Sequence, residues 1–170
     1  LRIYEGKFLT KIFFKVKDKK IDLTVKNINI YNILASLAVI KELNLSLNKT
    51  KKIFKNFEPT EGRGKMHIIS RYNKKFRLID ESYNANPLSV KNAINNFKKI
   101  KKKKFKKYLI LGDMLELGHK SEKYHKDLSK VINKSNIDKV FIKGEKTLFT
   151  YKNLHKSKQG NILQNKSDID

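Results

Sequence analysis

The sequence predicts an α/β protein with a mostly parallel β-sheet and flanking helices, preceded by the end of another domain. Three observations support this prediction. Residues 108–112 are a short, continuous apolar run of the kind found in buried parallel strands, and residues 139–144 are predicted to form another buried strand. Residues 88–99 and 121–133 carry apolar side chains at helical spacing. Strands and helices therefore alternate after residue 76, and this order favours right-handed crossovers within one parallel sheet.

The N-terminal third of the chain has a different pattern. Residues 8–25 form two alternating runs of apolar and polar residues around a charged turn at 18–20, which predicts a β-hairpin. Helical spacing follows, and it predicts two helices with polar residues available as N-caps. The helices and their candidate caps are residues 30–43 with Asn27 or Asn29, and residues 47–56 with Ser46.

A linker separates this region from the rest of the chain. Residues 57–64 interrupt all periodicity and contain one proline and two glycines. We therefore predict a first domain over residues 1–58, a hinge at 59–64 and a second domain over 65–170.

The second domain has further predicted elements outside its main alternation. A strand pair is predicted at 66–70 and 76–80 around a polar turn at Asn73. Ser121 is available as a cap for the helix that it begins, and a short helix is predicted at 148–154. The tail from residue 156 onward is weakly patterned, and no element is predicted there.

Composition limits the class of protein. The chain has 170 residues, a formal net charge of +24 and no cysteine, which excludes disulfides and thiolate metal sites. No apolar run is long enough to span a membrane, and the absence of cysteine fits a cytoplasmic protein. The charge indicates either a polyanion-binding surface or a solvated lysine surface. We favour the second, because lysines occur along the whole chain. Their densest run, 98–107, is predicted to be an exposed loop, with a phosphate contact as the alternative.

Two predicted strands end in acidic segments, where open α/β sheets bind ligands. Residues 80–87 follow one strand and residues 112–118 follow another. Carboxylates there can accept hydrogen bonds from ribose hydroxyls, bind an ammonium group or hold a metal-bound water. The alternative is that Asp80 or Asp113 caps a helix. Histidines are weaker candidates: His67 is predicted to be half-exposed in a strand, and His125 to be a surface or packing residue.

Four blocks resemble the Mur ligase family, of the MurF type. Residues 80–87 (DESYNANP) before a helix resemble its Asp-Asp-Ser-Tyr-Asn-Ala-Asn-Pro element, and residues 111–118 (LGDMLELG) resemble its next block. Residues 29–35 resemble a helix start near the end of the family's central ATPase domain. Residues 61–64 (EGRG) resemble the junction between that domain and the C-terminal domain. The four blocks occur in the family's order and spacing.

The resemblance implies a Rossmann-like Mur ligase C-terminal domain and an ATP-dependent amide ligase. In the implied reaction, ATP phosphorylates the terminal carboxylate of UDP-N-acetylmuramoyl-tripeptide, with the assistance of Mg²⁺. The amine of D-Ala-D-Ala then attacks the acyl phosphate, which yields an amide and phosphate. The resemblance further implies a cytoplasmic monomer that acts in peptidoglycan synthesis, with no nucleic acid and no membrane as partner. It places the phosphate loop before Leu1 and predicts that this chain is inactive alone.

The resemblance also implies roles for individual residues. Residues expected to contact ATP are Asn29, Asn32, Arg63, Asp80, Glu81, Tyr83, Asn84 and Asn86. Residues expected to shape the D-Ala-D-Ala pocket are Asp113, Met114 and Glu116. No residue of the chain is predicted to be catalytic or to bind a metal. Two positions depart from the family pattern: Ile28 replaces the usual histidine, and Glu81 replaces the usual aspartate.

Two other classes of function compete with the ligase. A basic nucleic-acid-binding module would account for the charge, but aromatic residues do not interleave with the lysine runs as a stacking surface requires. No helix-turn-helix or zinc spacing is present either. The other class is a non-catalytic Rossmann-like domain that binds a protein partner.

Overall fold

The structure, a computed structural model, describes residues 2–5, 9–16, 19–26, 30–100 and 105–165. The chain comprises two compact units, Leu1–Asp80 and Glu81–Asp170. The second unit contains a three-stranded parallel sheet with flanking helices, which confirms the predicted α/β fold class. Among the described residues, no helix has the length and apolar character needed to cross a membrane.

The first unit contains a three-stranded antiparallel sheet in the order β1-β2-β3. The strands are β1 (Arg2–Glu5), β2 (Leu9–Val16) and β3 (Lys19–Lys26). The pairing of β2 with β3 confirms the predicted hairpin, although Lys19 and Lys20 belong to β3 and not to the turn. Strand β1 was not predicted, because four residues are too few to show an alternating pattern.

Two helices accompany this sheet, with α2 packed against β3. They are α1 (Ile30–Glu42) and α2 (Leu47–Asn56), which lie close to the predicted bounds. The Ser46 side chain accepts a hydrogen bond from the Lys49 N–H at 3.5 Å, as predicted for a cap. The candidate caps Asn27 and Asn29, and Ile28 between them, lie outside the described residues. Alternation in the strands and helical spacing in α1 bury one shared core, formed by Ile12, Ile21, Leu23, Val25, Ile33 and Leu37.

A separate two-stranded hairpin completes the first unit. It consists of β4 (Lys65–Arg71) and β5 (Lys74–Asp80), joined by Tyr72 and Asn73. Both joining residues have positive φ, 51° and 57°, as a two-residue turn of the primed type requires. The predicted strand pair is confirmed. However, within the described residues β5 pairs with β4 and is not part of the parallel sheet, so the crossover expected to start from residues 76–80 is wrong for that part of the chain.

The second unit has strand order β6-β7-β8, all parallel. Its elements, in chain order, are α3 (Pro87–Lys99), β6 (Tyr108–Gly112), α4 (Ser121–Asn133), β7 (Lys139–Lys143), α5 (Thr147–Lys152) and β8 (Gln159–Ile162). Strand β8 falls in the weakly patterned tail and was not predicted. Its sequence, QGNI, has no apolar run, and its pairing with β7 includes a register irregularity.

Three details of the second unit differ from the predictions. Tyr108 and Ile110 in β6 are 51% and 55% exposed, because side chains alternate between the two faces of a strand and these two lie on the face opposite to the buried Leu111. Ser121 is the first residue of α4 and not its cap, since a single 3₁₀ turn, Gly118–Lys120, leads directly into the helix.

Lys107 is buried, although it ends the run predicted to be exposed. Its ammonium donates to the Phe97 carbonyl at 2.8 Å at the end of α3, where a positive charge is favourable. Residues 101–104 of that run lie outside the described part of the chain.

Candidate functional site

The junction before β4 forms a tight turn that presents Arg63. The Arg63 N–H donates to the Thr60 carbonyl at 3.1 Å. Gly62 and Gly64 have φ of 72° and 87°, a left-handed conformation that glycine adopts without a side-chain clash. Gly62 is buried and the Arg63 side chain is exposed. The turn is therefore buried at Gly62, while the adjacent Arg63 side chain is exposed.

Asp80, the last residue of β5, contacts this turn on both sides of Arg63. Its Oδ2 accepts a hydrogen bond from the Gly62 N–H at 3.1 Å, and its main-chain carbonyl accepts one from the Gly64 N–H at 2.7 Å. The structure thus brings together Arg63 and Asp80, which were predicted from separate sequence blocks. The Asp80 carboxylate binds a turn amide and does not cap a helix.

Charged side chains surround the same turn. The Glu61 carboxylate accepts a hydrogen bond from Lys65 and lies 3.0 Å from His67 Nε2. The hydrogen bond from Lys65 lowers the pKa of Glu61, and the same pair raises the pKa of Lys65. Ligand atoms of Glu61, His67 and Asp80 lie within 4.8 Å of one another, a spacing that a metal ion would tolerate. However, Glu61 already contacts Lys65 and His67, and Asp80 already binds Gly62.

The loop after Asp80 turns most of its predicted site residues outward. Glu81 and Asn84 are exposed, and Tyr83 is 68% exposed. Ala85 instead packs against the core of the second unit and anchors the loop. The Asn86 side chain accepts hydrogen bonds from the Leu88 and Ser89 N–H groups, at 3.0 and 2.9 Å, and so caps α3.

The loop after β6 has the opposite arrangement at its start. Both Asp113 carboxylate oxygens accept hydrogen bonds at the start of α5, from the Thr147 N–H at 2.7 Å and the Lys146 N–H at 3.2 Å. This is the capping alternative weighed for Asp113. Gly144 has φ of 118°, and a Cβ there would lie 2.4 Å from the Asp113 carboxylate, so the contact requires glycine. Met114 is only 2% exposed and belongs to the core.

The next two residues of this loop are exposed, and Leu117 then packs against the core. Leu115 is 74% exposed, and Glu116 is exposed with φ of 60°. Of the three residues predicted for the D-Ala-D-Ala pocket, Glu116 is exposed, Asp113 is partly exposed and Met114 is buried. Leu115, which was not predicted, lies beside Glu116.

His125 forms a hydrogen bond with the backbone of the same loop. Its side chain is fully buried in α4, and its Nε2 accepts a hydrogen bond from the Met114 N–H at 3.0 Å. Its Nδ1 lies 2.8 Å from the Ser121 carbonyl, and with Nε2 accepting it must be the protonated nitrogen. The signal in the sequence was its position three and seven residues before Leu128 and Ile132, which places all three on the buried face of α4.

Of the two residues that the resemblance predicts to contact adenine, one lies within the described part of the chain. Asn32 is exposed on α1, and its main-chain carbonyl accepts a hydrogen bond from the Ser36 hydroxyl at 2.9 Å. Asn29 lies outside the described residues.

Comparison with known proteins shows the family of the chain. Residues 64–163 match the family model described as Mur ligase, glutamate ligase domain. This match covers more than half of the chain, so the chain belongs to the Mur ligase family. The match begins at Gly64, within the turn that presents Arg63.

Curated relatives carry the name UDP-N-acetylmuramoyl-tripeptide--D-alanyl-D-alanine ligase. The protein of that name from Rickettsia prowazekii is 32% identical over 141 residues, which are 81% of this chain and 30% of the relative. That from Bacillus subtilis is 44% identical over 68 residues, which are 40% of this chain and 15% of the relative. The chain therefore spans less than a third of the length of either relative.

Solved structures show the same fold. The crystal structure of MurF ligase from Thermotoga maritima in complex with ADP superposes with a TM-score of 0.77 at 20% identity. The match covers 99% of this chain and 38% of that one. A MurF structure from Acinetobacter baumannii matches with a TM-score of 0.75 at 21% identity, over 94% of this chain and 34% of that one. The predicted Mur ligase C-terminal fold is thereby confirmed.

Proposed function

We propose that this chain is the C-terminal part of an ATP-dependent ligase that joins D-Ala-D-Ala to UDP-N-acetylmuramoyl-tripeptide in the bacterial cytoplasm. The observation that carries the proposal is the Arg63 turn, where an exposed guanidinium extends from a backbone that Asp80 holds. A guanidinium binds phosphate through paired hydrogen bonds, so it suits a nucleotide. Curated relatives with this ligase name and a similar fold in an ADP complex support the proposal.

In the proposed reaction, the γ-phosphoryl group of ATP passes to the tripeptide carboxylate, and ADP leaves. The D-Ala-D-Ala amine attacks the acyl carbon, the C–O bond to phosphate breaks, and the amine loses a proton to give the amide. Positioning and charge stabilisation account for most of the catalysis in phosphoryl transfer. Arg63 would stabilise the phosphates in this scheme.

We further propose a division of roles among the other candidate residues. Asn29 and Asn32 would contact adenine, and Glu81, Tyr83 and Asn84 would line the nucleotide and amine side. Asn86 would act through the start of α3, because its side-chain oxygen is already bonded there. In the dipeptide pocket, Glu116 would face the substrate, while Asp113 and Met114 would hold the loop that carries it.

Mg²⁺ would neutralise charge on the phosphates in such a reaction, but no ligand for it is assigned in this chain. Mg²⁺ favours six oxygen ligands in octahedral geometry. The metal-compatible group within the described residues includes the His67 imidazole, and its carboxylates already have protein partners. This set does not fit Mg²⁺, so no step is derived through it. We propose that the Mg²⁺ ligands and the phosphate loop lie in the part of the relatives that this chain does not cover. We also propose a first domain over residues 1–58, a hinge at 59–64 and a second domain over 65–170.

The decisive test is an assay of the longest reading frame that contains this chain. We expect phosphate release that requires ATP, UDP-N-acetylmuramoyl-tripeptide and D-Ala-D-Ala together. In that protein, Arg63→Ala or Asn84→Ala should lower turnover about tenfold, equivalent to about 1.4 kcal/mol of barrier. Arg77→Ala and Asn92→Ala are matched controls, because both residues are exposed and neither is assigned to the site.

Two results would count against this function. A folded protein that releases no phosphate with all three substrates would exclude the ligase. Tight, salt-dependent binding to DNA of arbitrary sequence would instead favour the nucleic-acid-binding alternative that the net charge of +24 raises.

A further inference from the structure

The conformation of the Arg63 turn depends on two backbone amides, one on each side of Arg63. Gly62 and Gly64 both have left-handed φ, and the N–H of each donates to an atom of Asp80. The Gly64 bond uses the Asp80 main chain, so substitutions at position 80 retain it. The Gly62 bond uses the Asp80 carboxylate, so it depends on the identity of that side chain.

The place of Asp80 in the hairpin makes it a suitable anchor. It pairs with Lys65 across the first register position of β4 and β5, so its backbone is held by the ladder. The carboxylate is half-buried, and the Gly62 residue that it binds is buried. Without an acceptor there, a buried N–H would lose its hydrogen bond, which is costly enough to shift the turn.

We propose that Asp80 is a positioning residue that acts through Arg63, and that its carboxylate orients the Gly62–Arg63 backbone and does not itself bind the nucleotide. This proposal rests on the proposed function. It changes the role that the family resemblance implied for Asp80, which was direct contact with ATP. Catalysis is sensitive to such positioning, because a displacement of about 1 Å can cost about a hundredfold in rate.

The two roles for Asp80 predict different effects of the same substitutions. Asparagine retains a carbonyl oxygen that can accept from the Gly62 N–H, but it lacks the negative charge that a metal-bound water or an ammonium would need. Alanine retains neither. A positioning role therefore predicts rescue by Asn, whereas contact with a metal-bound water or an ammonium group predicts that Asn and Ala are similarly damaging. An Asn oxygen could also accept from a ribose hydroxyl, so the double variant with Arg63→Ala separates positioning from a ribose contact.

The experiment measures kcat/KM for ATP in the full-length protein that contains this chain, for Asp80→Ala, Asp80→Asn, Arg63→Ala and the double variant with both alanines. We expect Asp80→Ala to lower kcat/KM about tenfold and Asp80→Asn to stay within about threefold of wild type. In the Arg63→Ala background, Asp80→Ala should lower kcat/KM by no more than about twofold further, because the side chain that it positions is absent. Asp22→Ala is the matched control, since Asp22 pairs with Lys51 on the surface at 2.7 Å.

Two kinetic outcomes would overturn the proposal. One is an Asp80→Asn variant as impaired as Asp80→Ala, and the other is a double variant whose loss is the product of the two single losses. Either would assign the carboxylate to a ligand or a metal ion. If Asp80→Ala does not fold, Asp80→Asn takes its place: near-wild-type kcat/KM with Gly62 exchange at the wild-type rate supports positioning over a charge-dependent contact, and a tenfold loss of kcat/KM contradicts positioning.

Amide hydrogen exchange at Gly62 separates this proposal from the proposed function. Exchange should become at least about tenfold faster in Asp80→Ala and stay near wild type in Asp80→Asn. A wild-type protein without ligase activity would exclude the proposed function, while the exchange rates would still decide whether Asp80 holds the turn. Equal Gly62 exchange in all three proteins would overturn the positioning role.

Discussion

The loops 81–86 and 113–118 belong to the same unit, and each lies in its own family block, yet they use their residues in opposite ways. In the first, Glu81, Tyr83 and Asn84 are exposed and one small residue, Ala85, packs against the core. In the second, Asp113 caps α5 and Met114 is buried before the chain turns outward. A motif that marks a site therefore contains two kinds of residue: those that present a surface, and those that hold its backbone.

The largest expected effect is a difference in the free energy of unfolding between substitutions at two adjacent residues of the second loop. Met114→Ala should lower the free energy of unfolding by about 2–5 kcal/mol, because it leaves a cavity in the core. Leu115→Ala should change it by less than about 0.5 kcal/mol, because the side chain is exposed. Urea unfolding followed by circular dichroism measures both. Similar losses for the two variants would show that the loop does not divide as described.

The next effect tests the support beneath that loop. His125→Asn retains a donor for the Ser121 carbonyl but loses the acceptor for the Met114 N–H. We expect a loss of about 1–3 kcal/mol in the free energy of unfolding, the cost of leaving a buried donor unsatisfied. His119→Asn, at an exposed position, is the control. A neutral His125→Asn variant would remove His125 from the support of the loop.

A smaller effect distinguishes two asparagines of the first loop. Asn86→Ala removes the cap of α3 and should cost about 1 kcal/mol of stability. Asn84→Ala should leave stability within about 0.5 kcal/mol, because the side chain is exposed, while it lowers turnover as proposed above. Thermal and urea unfolding of both variants, set beside their kcat values, would show whether stability and activity separate. Equal stability losses would remove that distinction.

The smallest expected effect concerns charges at the exposed Arg63 turn. The Lys65 hydrogen bond lowers the pKa of Glu61 below its ordinary value of 4.5, so the folded protein favours the ionised carboxylate. The stability that this contributes is present above the unfolded pKa and is lost as pH falls through the lower folded pKa. Glu61→Gln should therefore weaken the loss of stability on acidification below about pH 4.5 relative to wild type. Unfolding curves at several pH values measure this, and an unchanged acid dependence would contradict it.

The elements that could be predicted from sequence are those whose pattern is local. Helix α2 has the bounds and cap that its spacing predicted, and the β4–β5 turn follows from its polar residues. Strands β1 and β8 were missed because each has four residues and no apolar alternation of useful length. Their pairing with longer neighbours stabilises them, and that is not encoded in their own residues.

The candidate site divides in the same way. The sequence by itself determined the family blocks, and with them the residue types at the Arg63 turn and in both loops, because their chemistry depends on side chains in a fixed order. Only the tertiary structure decided which of these residues are available to a ligand. Asp80 and Asp113 are both acidic residues at strand ends, yet one binds the Gly62 amide and the other the start of α5. The physical reason is that a carboxylate accepts hydrogen bonds equally well from a backbone and from a ligand, so its role depends on which donor the fold brings within reach.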